Sequence, residues 1–329
     1  MNVICMKRLT GMSKGRCNMK FGVMMPVYGG WVKGRQLDEP VSFEYMKKIA
    51  VEAERNGYHS LWIPDHLLNP IRGEDYPSLE AWTTLAALAP LTEHVKLAHA
   101  TLCYAFRHPA ILAKMSATLD NISNGRFILA MGACWFEREF QAYGIKFLSH
   151  NHRIEAASEA LQLIKELWMK KEVTIKGKHF HVRRANLEPK PIQKPRPPIW
   201  YGGTSKASER VAAEQADVWL FSGATPETVA ARVKKFEEKY SKRVEYAMSA
   251  ITILSESSDE AIELAGNCFP DKSKSVVSSG LIGSPKHIAN KIERLAQIGI
   301  NYILLQFPLG TLHNVRKFGE EVLPSFAVS

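Results

Sequence analysis

The run Gly202-Gly203-Thr204-Ser205 ends an apolar segment and is followed at once by a segment with helical spacing. Two glycines allow the backbone to turn sharply and to approach a ligand closely. The two hydroxyl residues fall where the helix would begin, and the first amides of a helix are unpaired and partly positive. This combination suits a phosphate group. The same residues are also typical of an ordinary turn with a hydroxyl N-cap.

Two further groups of residues have side chains suited to chemistry. Asp65-His66 follows an apolar segment, where His66 could donate a proton or contact a cofactor and Asp65 could orient it. Trp135 combines a large apolar face with one N–H donor, which suits the lining of a flat aromatic ligand. Each has a structural alternative, since His66 could be a hydrogen-bonded rim histidine and Trp135 a core residue. No segment gathers histidines and carboxylates at a metal-binding spacing, so the sequence predicts no metal site.

The elements that would position these residues alternate regularly along the chain. Short apolar runs, of the type buried on both faces of a parallel sheet, are each followed by a segment with helical spacing. The eight predicted strands are 20–26, 60–66, 95–102, 125–133, 199–203, 217–221, 245–254 and 300–307. Eight such units favour the α/β class and a closed (β/α)8 TIM barrel with insertions over an open sheet. Function gathers at the C-terminal ends of barrel strands, where all three groups fall, and this strengthens the phosphate interpretation.

Three segments do not fit the repeating unit. Residues 171–185 alternate at period two around a glycine, which predicts a hairpin insertion. The polar segment 267–281 lacks periodicity and is interpreted as a lid loop whose Lys274 meets an anionic substrate or cofactor, or else as a surface loop. The basic segment 1–18 has no apolar core and is expected to be a flexible leader before a single domain at 19–329.

The composition limits the classes of partner. The net charge of +10 is mixed with acidic residues, which is typical of a solvated surface and not of a nucleic-acid-binding protein. No apolar run approaches the roughly 20 residues of a membrane span. The five cysteines show no paired spacing, so we expect reduced thiols in a cytoplasmic protein, with Cys103 and Cys134 as small apolar fillers.

Four longer segments have sequences that are specific enough to be compared with a known family. They are FRHPAILAKMSATLDNISNGRFILAMGACWFEREFQAYGI (106–145), HNHRIEAASEALQLIKELW (150–168), GKHFHV with EPKPIQKPRPPIWYGG (177–203) and LIGSPKHIANKIERLAQIGINYILLQFP (281–308). Together they resemble the bacterial luciferase-like superfamily of flavin-dependent oxidoreductases, and the resemblance covers about residues 19–327. The family fold is an eight-stranded barrel with insertions, in agreement with the pattern of strands.

The resemblance implies a flavin or deazaflavin cofactor at the strand ends. Its ring would lie over Ala100 and Thr101, a place where family members often have a non-proline cis peptide, with Trp135 also lining the site. Its phosphate would bind the turn of Gly203, Thr204 and Ser205. The resemblance also implies a homodimer or homotetramer.

Two branches of the family remain open. The segments 150–222 and 281–308 resemble the alkanesulfonate and dimethylsulfone monooxygenases, which use O2 and reduced FMN from a separate flavin reductase. Asp65-His66 resembles the other branch, which transfers hydride with coenzyme F420 and without O2. The chain departs from the first branch on its seventh strand, where Ser249 and Ile251 replace an arginine and a histidine, and from sugar-phosphate-oxidising F420 enzymes at Trp135, which replaces a glutamate.

These observations favour a two-component monooxygenase that uses FMNH2 and O2 on a small organic substrate. His66 would hydrogen-bond near the reacting edge of the flavin, Asp65 would fix its tautomer, and the 267–281 lid would exclude water. The alternatives are an F420-dependent oxidoreductase and, in another class, a flavin-binding barrel without catalytic activity.

Overall fold

The computed structural model describes residues 19–32, 39–241 and 243–326. The predicted leader, 1–18, lies outside the described residues, as do Cys5 and Cys17 within it. The strands are β1 Lys20–Met24, β2 Ser60–Ile63, β3 Lys96–His99, β4 Leu102–Cys103, β5 Phe127–Gly132, β6 Val173–Lys176, β7 His181–Ala185, β8 Ile199–Gly202, β9 Val218–Ser222, β10 Glu245–Leu254, β11 Leu281–Gly283 and β12 Ile300–Gln306.

Eight of these strands close into a parallel barrel. The order is β1, β2, β3, β5, β8, β9, β10 and β12, and β12 pairs back with β1. Two short strands extend the barrel, since β4 pairs with β5 and β11 pairs with β10. The predicted (β/α)8 barrel is therefore confirmed.

Helices between the strands cover the outside of the barrel. They are α1 Phe43–Arg55, α2 Ala81–Leu88, α3 Pro109–Ile122, α4 Glu137–Ala142, α5 His150–Met169, α6 Lys206–Gln215, α7 Pro226–Lys239, α8 Ser258–Cys268, α9 Ser273–Ser279, α10 Pro285–Gln297 and α11 Thr311–Glu321. Hydroxyl residues precede many of them: the Ser205 side chain caps α6, and the Ser284 side chain caps α10, whose first residue is Pro285. None of these helices is long and apolar enough to cross a membrane, as judged over the described residues.

The segments predicted as insertions have defined structure. Strands β6 and β7 form an antiparallel hairpin between α5 and β8. The segment 267–281, predicted as a loop, contains a 3-10 turn at Pro270–Lys272 followed by α9. Val276 of α9 packs in a small apolar cluster with Ile253 and Ile282, which gives this polar segment a buried anchor. Its role as a lid stays a prediction.

Aromatic side chains fill the inside of the barrel. The rings of Trp62 and Trp200 are 4.7 Å apart, and Trp200 lies 4.7 Å from Tyr302. These residues come from three separate strands, so the contacts cross the barrel interior. The Trp62 indole N–H and the Tyr302 hydroxyl both donate to the Ser60 hydroxyl. These packed side chains leave no room for a side chain at Gly22, where an added Cβ would overlap Trp62 Nε1 and Ser60 Oγ.

Replacing Gly22 with alanine is therefore expected to lower the free energy of unfolding by about 1–3 kcal/mol, because it overpacks a closed core. The matched control is Gly266→Ala in α8, where the nearest atom to an added Cβ is Ser273 Oγ at 3.7 Å. That control should stabilise the protein by about 0.5–1 kcal/mol, since alanine is the better helix former. Urea unfolding of the two variants measures both effects. Equal destabilisation by both would contradict the described packing.

Candidate active site at the barrel mouth

The predicted site residues lie at the C-terminal ends of barrel strands, with one exception. Asp65-His66 follows β2, Ala100-Thr101 follows β3, Trp135 follows β5 and the turn at 202–205 ends β8. We call this end of the barrel the mouth. The exception is Lys274, which lies exposed on α9.

Thr101 brings two of the predicted groups together. A Cβ on Gly202 would lie 3.0 Å from Thr101 Cγ2, and one on Gly132 would lie 2.5 Å from Thr101 Oγ1. Glycines at the paired ends of β5 and β8 therefore make room for the threonine side chain. The Ala100–Thr101 peptide is cis, as the resemblance implied. The result is a cradle with little side-chain bulk, in which backbone can approach a ligand closely.

The turn after β8 has the backbone that the sequence predicted. Gly203 has φ +143°, a conformation that favours glycine, and a Cβ there would lie 2.7 Å from Ser208 Oγ. Ser205 Oγ accepts a hydrogen bond from the Ser208 amide at 3.1 Å and donates to the Ser208 hydroxyl at 3.0 Å. The Ser205 side chain is thus occupied as an N-cap. An anion at this turn would therefore need donors other than the Ser205 side chain.

Two backbone amides and the guanidinium of Arg232 lie at this turn. Within the described residues, the N–H groups of Lys206 and Ala207, the first two residues of α6, make no hydrogen bond, as helix geometry requires of them. Arg232 on α7 reaches over and donates to the Thr204 carbonyl at 2.6 Å. It places a partly exposed positive charge beside the turn. Nothing in the local sequence of α7 marks Arg232 for this position.

His66 is paired with a residue that the sequence did not suggest. Its Nδ1 lies 3.0 Å from Oε1 of Glu139, and Oε2 of the same carboxylate accepts the Leu67 amide at 2.9 Å. The Glu139 side chain is 1% exposed, and that of His66 is 15% exposed. Since a carboxylate only accepts, His66 Nδ1 carries the hydrogen and donates it, and Nε2 is the ring nitrogen that faces away from Glu139.

Asp65 has a different role from the predicted one. Its carboxylate receives two N–H groups of Arg107 at 2.9–3.1 Å and the Cys103 amide at 2.9 Å. Arg107 also pairs with Glu80 at the start of α2. Burial by itself lowers the pKa of Arg107, but these two carboxylates raise it overall above its usual value. Asp65 therefore ties the loops after β2 and β3 together, while the carboxylate that orients His66 is Glu139.

Trp135 is not a core residue. It is 64% exposed, and its ring lies 5.3 Å from that of Phe136 and 5.6 Å from that of His66. The structural alternative for Trp135 is wrong, because a core tryptophan would be buried. An exposed aromatic pair beside a histidine at the mouth is a surface on which a flat ligand can pack.

Tyr28 and Trp31, in the loop after β1, carry polar groups that the sequence prediction missed. Tyr28 Oη and Trp31 Nε1 are buried and have no hydrogen-bond partner among the described residues. The Tyr28 ring lies 6.0 Å from that of His66, and burial raises the pKa of Tyr28 well above its usual value, as do the charges of Asp65 and Glu139. Tyr28 is therefore a neutral hydroxyl next to the His66–Glu139 pair.

Three uncharged side chains lie on β10 and β12, the strands opposite β3 and β5. Ser249 and Ile251 on β10, the positions where the sequence departs from one branch of the family, pair with Leu304 and Gln306 respectively and are partly exposed. Ser249 also pairs with Ser222 at the end of β9. Ser249, Gln306 and Ile251 therefore offer hydroxyl, amide and aliphatic groups to a ligand.

The sequence prediction was wrong about Cys103 and Cys134. The two residues form a disulfide, with their Cα atoms 5.5 Å apart, so neither is a reduced apolar filler. They are 31 residues apart in sequence and become neighbours because β4 pairs with the end of β5. Cys268 of α8 is buried and lies outside this bond.

Two other features of the described residues could mark a functional site: clusters of metal-ligating side chains and cavities away from the mouth. Across the described residues, no group of three histidine, cysteine or acidic side chains could hold a metal ion. A cavity of about 490 Å³ lies at the other end of the barrel, lined by residues such as Lys20, Tyr58 and His59. We assign function to the mouth instead, because barrel enzymes carry their chemistry at the C-terminal ends of the strands.

Comparison with known proteins agrees with this geometry. A family model described as luciferase-like monooxygenase matches residues 19–276. The monooxygenase RslO1 from Streptomyces bottropensis is 24% identical with a TM-score of 0.77, over 94% of this chain and 100% of that one. An F420-dependent secondary alcohol dehydrogenase in complex with an F420–acetone adduct is 22% identical, with a TM-score of 0.76 over 94% and 100%. The oxygenating constituent of 3,6-diketocamphane monooxygenase from Pseudomonas putida, in complex with FMN, is 21% identical, with a TM-score of 0.74 over 95% and 100%. Identities this low show a shared fold.

Proposed function

Because the chain belongs to the luciferase-like monooxygenase family, we propose that it is a two-component flavin monooxygenase that uses FMNH2 and O2 to oxidise a small organic substrate. The observation that carries the proposal is the turn after β8. There, unpaired amides of α6 and the Arg232 guanidinium meet beside a glycine cradle at the mouth.

The residues present fit such a cofactor. The amides of Lys206 and Ala207 with the Thr204 hydroxyl would hold its phosphate, and Arg232 would balance the charge. The cradle around Thr101 gives space for a ring system. A reduced flavin, when bound, supplies the electrons that activate O2. The protein's own contribution is binding, orientation and exclusion of water.

His66 is the residue that we propose for moving a proton. Glu139 accepts the Nδ1 hydrogen, so Nε2 is the ring nitrogen that remains to exchange a proton with a ligand. Nε2 has no hydrogen-bond partner within the described part of the chain and is free to accept a proton from substrate or to return one. Trp135 and Phe136 would shield this nitrogen from bulk water when a ligand packs on them.

The uncharged side chains of Ser249, Ile251 and Gln306 support a neutral or weakly polar substrate in preference to a small sulfonate. A substrate of that class needs no buried cation for binding, because its affinity comes from apolar contact and a few hydrogen bonds. A flavin reductase as the source of FMNH2, a cytoplasmic location and a homodimeric or homotetrameric assembly belong to the same proposal.

One observation favours a second candidate, an F420-dependent oxidoreductase that transfers hydride without O2. The His66–Glu139 pair at the mouth is suited to take the proton of an alcohol while hydride leaves its carbon. Both an F420-dependent alcohol dehydrogenase and an F420-dependent tetrahydromethanopterin reductase share the fold.

The two candidates are distinguished by one experiment. The purified protein is titrated anaerobically with FMNH2 and separately with reduced F420, and O2 is then admitted while oxygen uptake and the cofactor spectrum are followed with a panel of small neutral substrates. Preferential binding of FMNH2 with substrate-dependent oxygen uptake supports the monooxygenase. Preferential binding of F420 without oxygen uptake would replace it with the second candidate.

Lys274 stays a proposed contact to an anionic group. If the segment around α9 closes over the mouth, Lys274→Ala should weaken FMNH2 binding about tenfold, the size of one charge-assisted hydrogen bond. The matched control is Lys48→Ala, an exposed lysine on α1 that should leave affinity unchanged. Affinities are measured by anaerobic fluorescence titration. Equal affinities in the two variants would remove Lys274 from the site.

A further inference from the structure

The Cys103–Cys134 disulfide lies at the mouth, between the ends of two neighbouring strands. Cys103 is the last residue of β4, and Cys134 comes two residues after β5. The Cys103 amide donates to Asp65, and Cys134 directly precedes Trp135. The bond therefore joins the Asp65–Arg107 cluster to the segment that carries the exposed aromatic pair.

The two sulfurs differ in their access to solvent. Cys103 is 3% exposed, whereas Cys134 is partly exposed on the rim. Thiol–disulfide exchange begins with attack of a thiolate on one sulfur, and the other sulfur leaves. A thiol arriving from solvent can reach Cys134, and Cys103 is then the leaving sulfur. The bond is thus open to exchange without unfolding of the barrel.

The short segment at 134–136, which carries one sulfur of this bond, lies between two anchored neighbours. On one side, Arg153 Nε donates to the Ala133 carbonyl at 3.2 Å. On the other side, Phe140 is buried, with its ring 5.4 Å from that of Phe106. Between these anchors, Cys134 has φ +58°, a left-handed conformation that costs a residue with a Cβ about 1–2 kcal/mol. Once the bond is broken, Cys134 can relax to negative φ and turn Trp135 to a new position.

We propose that Cys103–Cys134 is a reversible redox modification site whose state sets the position of Trp135 over the mouth. The reductant is a dithiol. Its two electrons and two protons convert the disulfide into two cysteine thiols, and the dithiol becomes a disulfide in turn. The cytoplasmic location proposed above supports this inference, because disulfides in thiol-reducing compartments are usually of this exchangeable kind. The proposal is independent of which cofactor the mouth binds.

The first test uses differential alkylation and peptide mass spectrometry on the folded full-length protein. Samples are equilibrated with oxidised glutathione, with increasing dithiothreitol, and again with oxidised glutathione. With dithiothreitol, alkylation of Cys103 and Cys134 is expected to rise together. In the second oxidised glutathione step it should return to its starting value. Alkylation of Cys268 should stay constant throughout. Thiols at both positions in oxidised glutathione would overturn the proposal, as would a bond that is reduced only when circular dichroism shows unfolding.

The second test measures the position of Trp135. The other tryptophans in the described residues are buried, so acrylamide quenching reports mainly on Trp135, and Trp135→Phe gives the background. Reduction is expected to change the quenching constant about two-fold or more. The change should persist in Cys268→Ser and disappear in the double variant Cys103→Ser, Cys134→Ser. Unchanged quenching upon confirmed reduction would overturn the link between the bond and Trp135.

Discussion

Glu139→Gln is expected to lower kcat by about 10²–10³-fold while leaving cofactor affinity within about two-fold, because its carboxylate fixes the hydrogen on His66 Nδ1. Glutamine presents either an oxygen or an NH2 group to the ring, so the tautomer is no longer defined. Glu139 does not touch the proposed substrate, and it acts by positioning His66. Steady-state kinetics and anaerobic cofactor titration measure the two quantities separately.

Two further variants distinguish positioning from simple support of the fold. His66→Ala should lose at least as much activity as Glu139→Gln, and added imidazole should restore part of it, since the pocket then accepts a free ring. Glu155→Gln is the matched control, because Glu155 accepts from His179 Nε2 at 3.2 Å on the surface near the hairpin. It should leave kcat unchanged. A Glu139→Gln enzyme with full activity, or loss of the same size in the control, would contradict the assigned role.

Gly203→Ala is expected to weaken FMNH2 binding about 100-fold, equal to about 2.7 kcal/mol, because its methyl group would meet Ser208 and displace the α6 amides. The loss should concern the phosphate alone. Reduced riboflavin, which has the same ring without phosphate, should bind the variant and the parent protein equally well. Anaerobic titration gives the dissociation constants of the two flavins. The flavin ratio, which is the constant for reduced riboflavin divided by that for FMNH2, should fall toward one in the variant.

The control for this prediction is another glycine with positive φ at a strand end. Gly223 follows β9, has φ +62°, and has no atom within 4 Å of an added Cβ. Gly223→Ala should cost only local backbone strain of about 1 kcal/mol and leave the flavin ratio unchanged. Arg232→Met should reduce the ratio about tenfold by removing one charge. A ratio unaffected by Gly203→Ala would place the phosphate elsewhere.

The barrel was predictable because its signals are local. An apolar run of four to ten residues marks each barrel strand, and side-chain caps such as Ser284 mark where helices begin. The same logic missed α4. That helix has six residues, and a single phenylalanine, Phe140, provides its apolar anchor. A period of 3.6 residues cannot be recognised over so short a span.

The composition of the site was harder to predict because its pairs are distant in sequence. Adjacency favoured Asp65 as the partner of His66, yet neighbouring residues in extended backbone point in opposite directions. Asp65 is held by Arg107, 42 residues later, and His66 is held by Glu139, 73 residues later. The Cys103–Cys134 bond has the same origin, since strand pairing brings the two sulfurs together without any spacing motif.

The positions of the candidate site residues at one end of the barrel were predictable, although their contacts were not. The strand ends that carry Thr101, Trp135 and Gly202 could be placed from the order of elements, because all barrel strands run in one direction. The position of Arg232 could not be predicted, since this residue lies in the middle of the amphipathic helix α7, 28 residues after the carbonyl that it binds. Sequence order therefore determines which loops meet, and packing determines which side chains meet.

The central claim is that the mouth binds a reduced flavin with its phosphate on the turn after β8. The most direct measurement is a crystal structure of the protein soaked anaerobically with FMNH2. We predict phosphate oxygens within hydrogen-bonding distance of the Lys206 and Ala207 amides, and the flavin ring over the Thr101 cradle. A phosphate bound elsewhere, with this turn unliganded at full cofactor occupancy, would contradict the account.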